Sequence, residues 1–146
     1  MRKRGVLYFL IGVALWFLVD FTTTYAIKDP VKYYCTYMPV ILIFYMGCPF
    51  IFSLLIYKFK FRSIRLFIAM IIEIITVEIL FTKNPLFFSF PNVILAIVAA
   101  ISLYSFLTFL PKWIADKELK NKKVLAITLT AIWSIITLIT IFEGGT

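Results

Sequence analysis

The chain of 146 residues contains no histidine, only two cysteines, and seven acidic residues against fifteen basic ones. Without histidine there is no imidazole general base, no histidine-ligated haem and no mixed cysteine–histidine zinc site. Cys35 and Cys48 stand too far apart for a CxxC redox or zinc pair. Also missing are an HExxH motif, a glycine-rich phosphate loop and an aspartate-rich diphosphate motif. No cofactor is expected, and an enzyme is the least supported class.

Charge itself is scarce. Charged residues make up 15% of the chain and hydrophobic ones 63%, against about 25% and about 45–50% in soluble domains. A domain this short buries too small a share of its surface to hide that much apolar area within itself. The remainder needs a bilayer. The formal charge of +8 does not point to nucleic acid, because no basic region stands apart from the apolar runs.

What is there is long hydrophobic runs, five of them, at about 6–26, 39–57, 65–82, 92–111 and 124–142. Each approaches the ~20 residues with which an α-helix crosses ~30 Å of hydrocarbon. They are apolar on nearly every face, without the alternation of a membrane barrel. The third run, "AMIIEIITVEILF", carries Glu73 and Glu78. A charge near a helix centre costs about 2.5–3.5 kcal/mol on an insertion scale, which nearly cancels the apolar gain of this run. Charge topology decides the matter. With the N-terminus cytoplasmic and five crossings, segments 1–5, 58–65 and 112–123 face inward and hold twelve of the fifteen basic residues. Without the third crossing, the five lysines of 112–123 would lie outside, against the positive-inside rule.

The expected architecture is therefore all-α: one domain over 1–146, a polytopic integral membrane protein of five transmembrane helices in the plasma membrane, with the C-terminus outside. The opening segment also has features of a secretory signal, with "TYA" as a weak cleavage site. Its apolar core exceeds the ~7–15 residues of a signal's h-region, so an uncleaved anchor is expected. The stretch "IKDPVKYYCTYM" reads as an outer loop and "TKNPLFFSFPN" as an outer hairpin. The inner "KWIADKELKNKK" reads as a short surface helix with Trp113 and Leu119 in lipid, its lysines facing anionic headgroups.

Depth separates the acidic residues. Asp20 and Glu78 lie near the outer ends of their helices, within reach of headgroups or water. With Asp29 of the outer loop they form a candidate acidic cluster for a divalent cation. Glu73 is at the midplane, ~12 Å from either helix end. At ~100° per residue it points about 140° away from Glu78, so the two do not share a face. No Lys or Arg lies inside any run to neutralise it. It is either protonated and hydrogen-bonded, or ionised and holding a cation in a wet cavity.

Ser102 and Ser134 lie at similar depth, Ser134 in a stripe with Thr130 and Thr137. Together with Glu73 they make the candidate ion or proton site. Gly47 and Pro49 mark a candidate helix break, because proline cannot donate a backbone bond and frees the carbonyl of Tyr45. Hydroxyl stripes and kinks also serve plain helix packing, and Cys48 fits a small buried hydrophobe.

Three functions follow. The first is a small helical subunit or homo-oligomer in a membrane assembly, with Glu73 or Glu78 answered by a partner membrane protein. A proton- or cation-handling transport component centred on Glu73 is the second. The third is a lipid-modifying enzyme with an outward acidic metal site. The direction in which Glu73 points separates the first two: into the bundle for ion handling, toward lipid for a missing partner.

Overall fold

The computed structural model describes residues 3–27, 30–83, 85–88 and 92–144. Those residues are mostly helical with no strand, in five α-helices: α1 (Lys3–Ile27), α2 (Pro30–Tyr57), α3 (Ser63–Ile74), α4 (Asn92–Ala115) and α5 (Lys123–Gly144). A π-helical segment, Ile75–Phe81, continues α3, and a 3₁₀ turn covers Pro85–Phe88. Among the described residues three stretches are long and apolar enough to cross a membrane: Lys3–Thr22, Cys35–Tyr57 and Asn92–Ala115. The chain has the build of a membrane protein.

The third run is not the uniform α-helix expected. It is α-helical for twelve residues only and then widens, the Thr82 amide donating to the carbonyl of Val77 five residues back at 2.9 Å. The loop expected before helix two is also shorter. Pro30 opens α2, a position where its fixed φ is preorganised and its missing N–H costs nothing. No surface helix forms after α4. The helix runs on through Pro111 to Ala115, and Trp113 is buried at 8% exposure, stacked on Phe109 rather than anchored in lipid.

α1 and α4 form the centre. α2 packs on α1, α3 on α4, and α5 against both central helices, while α2 and α3 barely meet. In lipid the surroundings are as apolar as the side chains, so helices associate through close packing and internal hydrogen bonds instead of water exclusion. Both are seen here. Gly12 of α1 lies so close to Pro49 of α2 that an added Cβ would stand 2.9 Å from the proline Cβ. Ser53 donates to the carbonyl of Gly5 at 2.8 Å, and Tyr8 to that of Thr108 at 3.2 Å. α2 therefore remains helical through Pro49, which forms a packing surface for α1. A Cβ added at Gly47 would meet nothing within 4 Å.

These two glycines predict opposite behaviour. Gly12→Ala drives a methyl into a rigid ring and lowers stability by about 1–3 kcal/mol. Gly47→Ala enters open space and is neutral, or stabilising by up to about 1 kcal/mol. Thermal unfolding of the two variants in detergent, followed by tryptophan fluorescence, checks the contrast.

Candidate functional site

The buried stripe of the third helical stretch runs Leu66, Met70, Ile74 and Val77. Helical spacing puts Glu73 on that stripe, three residues beyond Met70 and four before Val77. Isoleucines 64, 68, 72 and 75 occupy the outward face. The carboxyl accordingly points into the bundle. Its Oε1 is buried without a hydrogen-bond partner. The carboxyl interacts with the Cys48 thiol of α2 and lies within electrostatic reach of Tyr8 of α1 and Tyr104 of α4.

Tyr104 is the hinge between the two glutamates. It is 2% exposed, and its hydroxyl donates to Glu78 Oε1 at 2.9 Å while the ring also feels Glu73. The expected separation of about 140° assumed α-helical turning. After Ile74 the hydrogen bonds lengthen to five residues, so each residue turns through less and positions five apart come nearer one face. The Tyr104 phenol thus bonds one carboxyl and lies within electrostatic reach of the other. Aromatic packing fixes that phenol in place: Trp16 meets Tyr104 edge-to-face at 5.5 Å and stacks on Tyr45 at 5.6 Å.

Beyond Glu78 the bundle opens. A cleft of about 930 Å³ is bounded by α1, α2, the π segment and α4, and Asp20, Lys32, Thr36, Glu78 and Thr82 are its polar lining. Trp16, Tyr37, Phe44, Tyr45, Phe81 and Tyr104 line much of the remainder. Phe44 of α2 and Phe81 of the π segment meet edge-to-face at 5.5 Å. Asp20 and Glu78 therefore line one cavity. Asp29 lies outside the described residues, and among those described no three acidic or cysteine side chains converge as a metal-binding group.

The other sequence candidates do not join Glu73. Ser134 sits on α5, which packs on α4 and α1, and its hydroxyl is spent on the carbonyl of Thr130 at 2.9 Å. Thr130 likewise donates to Ala126 at 2.7 Å. Such back-bonding satisfies a hydroxyl within its own helix when no water is at hand. Ser102 is half-buried on α4 and makes no hydrogen bond to Glu73. The π widening, and not Gly47 or Pro49, is the interruption nearest the carboxyls.

One polar cluster is absent from the sequence reading. At the basic end of the bundle, Asp116 accepts from Lys112 at 2.9 Å and from the Tyr57 hydroxyl at 3.1 Å, with Arg4 at 3.8 Å. It draws together the ends of α1, α2 and α4. The signal was present as an acid four residues after Lys112, in the spacing that pairs charges on a helix. Tyr8 and Tyr57 meet edge-to-face at 6.1 Å, so phenols continue from this cluster toward Glu73.

Compared with protein-family models, curated proteins and solved structures, the chain matches none of them.

Tyr104→Phe keeps the ring packing and removes the donor to Glu78. Hydrogen bonds to charged groups are worth about 1.5–3 kcal/mol, toward the low end beside an open cleft. A lowered unfolding midpoint in detergent is expected. An unchanged midpoint would mean that the phenol contributes nothing at this site.

Proposed function

We propose that the chain is a five-crossing plasma-membrane protein, N-terminus inside, that handles a proton or small cation at Glu73. The observation that carries this reading is the direction of the carboxyl. It follows the buried stripe of its helix, half-buried, with one oxygen covered and unpartnered and the Tyr8 and Tyr104 phenols within electrostatic reach. Ionisable groups inside a membrane protein are costly and characteristically mark ion or proton paths. Tyr104 then links Glu73 to Glu78 and the cleft, and in this orientation the cleft opens outward. The cluster around Asp116 closes the opposite, cytoplasmic end, where lysines also meet anionic headgroups.

The short third stretch is the weakest crossing on length, since α3 and the π segment together cover Ser63–Phe81. Its position supports it. Basic residues 58–65 precede it at the same end as Arg4 and Lys112, so the chain passes to the far end and returns through α4.

The test uses the purified chain in vesicles carrying a trapped pH dye and an imposed potential. Wild-type protein should admit protons, and Glu73→Gln, which preserves shape, should reduce the flux about tenfold or more. Equal flux in the two proteins would overturn the reading.

A second reading, a subunit of a membrane assembly, draws on one observation. Gly47 leaves an unfilled notch on α2, the kind of small-residue surface on which a second helix can approach closely. Light scattering of the chain in mild detergent measures its mass. A dimer or larger species that Gly47→Leu dissociates is the expected result of that reading, and a monodisperse monomer removes it.

A further inference from the structure

We propose that the cleft between α2 and the π segment is a binding site for an amphiphilic monovalent cation, an apolar body bearing an ammonium-type charge. This goes beyond the reading of Glu73 and does not depend on it.

Size comes first. About 930 Å³ lies at the upper end of the ~300–1,000 Å³ typical of small-molecule sites. A bare metal ion would leave most of that space unfilled. A divalent ion also needs six or more oxygen ligands, whereas no three acidic groups converge here among the described residues.

Charge comes second. Among the described lining residues two are acidic, Asp20 and Glu78, and one is basic, Lys32, an acidic excess of one that favours a singly charged cation. The Glu78 carboxylate is held in place by Tyr104, and a fixed acceptor loses less entropy on binding than a free one.

The walls come third. Trp16, Phe44, Tyr45, Phe81 and Tyr104 line the cleft and are held by contacts among themselves. Ring faces are negative and attract cations whose charge is diffuse and weakly hydrated. Val40, Ile41 and Val77 add aliphatic surface for an apolar body. Phe81 is 66% exposed, so the cleft has a mouth through which a molecule dissolved in the membrane or held at its surface can enter. An ammonium of this kind has two sources, an amine headgroup of a lipid and a free solute.

Tetraphenylphosphonium is a suitable probe, because tetraphenylsilane has the same shape and no charge. Equilibrium binding of labelled tetraphenylphosphonium to the full chain in nanodiscs of half phosphatidylglycerol and half monoglucosyldiacylglycerol at pH 8 should saturate near one per chain. Glu78→Gln should weaken it about tenfold, the loss of one close charge pair. Asp20→Asn should weaken it about threefold and supplies the charge readout if the first variant does not fold. Tetraphenylsilane should compete weakly. Absence of saturable binding to wild type, undiminished affinity in both variants, or equally strong competition by tetraphenylsilane would each overturn the proposal. Replacing the glucolipid by phosphatidylethanolamine, at the same phosphatidylglycerol fraction, separates the sources. Reduced apparent affinity assigns the site to the amine headgroup, and unchanged affinity assigns it to a solute. Probe occupancy is read here and proton flux in the Glu73 test, so either reading can fail alone.

Discussion

A carboxyl group on the core stripe of a helix must be answered by whatever the neighbouring helices bring. In α3 that stripe is set by Leu66 and Met70, both 0% exposed, and Glu73 follows Met70 by three residues. Packing those two side chains against the bundle turns Glu73 inward, half-buried as a residue and with its Oε1 fully covered. Among the described residues no lysine or arginine pairs with it, and the dipoles nearby are the Cys48 thiol, which interacts with it, and the phenols of Tyr8 and Tyr104, whose hydroxyls are donated to Thr108 and Glu78. One oxygen is still left without a partner. The burial of a group so poorly satisfied is a standing cost of several kcal/mol in a medium without water. A packing role alone gives no reason to retain it where leucine would pack as well.

Those dipoles are only useful if held still, and the aromatic and glycine contacts hold them. Gly12 lets α1 approach Pro49 of α2, which brings Trp16 against Tyr45 and, from the other side, Tyr104 against Trp16. Edge-to-face and stacked pairs add about 0.5–1.5 kcal/mol each. They also fix ring planes, and a fixed ring plane aims a hydroxyl. The Tyr104 donor therefore reaches Glu78 because of contacts made a helix away.

Much of this was legible in the sequence, though unevenly. Run length and composition sufficed for the helical class and the long apolar helices at α1, α2 and α4, because twenty apolar residues have few alternatives. That Glu73 is the residue to watch came from depth alone. The direction of its neighbours did not. An ideal 100° turn separates Glu73 from Glu78, and nothing in "EIITVE" announces five-residue hydrogen bonds. Ser134 looked available because its spacing was read without its own helix as a competitor for the hydroxyl. Trp113 looked like a lipid anchor because it opens the basic stretch after the fourth apolar run, but Pro111 is fully buried and α4 continues past it. Asp116 was overlooked among the surrounding lysines, where an acid reads as ordinary loop charge. Each miss concerns a contact between elements, which periodicity within one element does not encode.

The two ends of the bundle differ in how they are tied. At the basic end, Asp116 gathers Lys112, Tyr57 and Arg4, and Ser53 fastens α2 to the first turns of α1. Directional bonds between three helices tolerate little separation. At the other end, α2 and the π segment meet through Phe44 and Phe81, an aromatic contact that can slide or part at modest cost. The π segment is itself a departure from the better-bonded α-helix, of the sort that recurs at functional sites. Glu73 follows the fully packed Met70 and directly precedes the turn at which α3 gives way to the π segment. The carboxyl therefore stands where the firmly tied part of the third stretch passes into the loosely tied one.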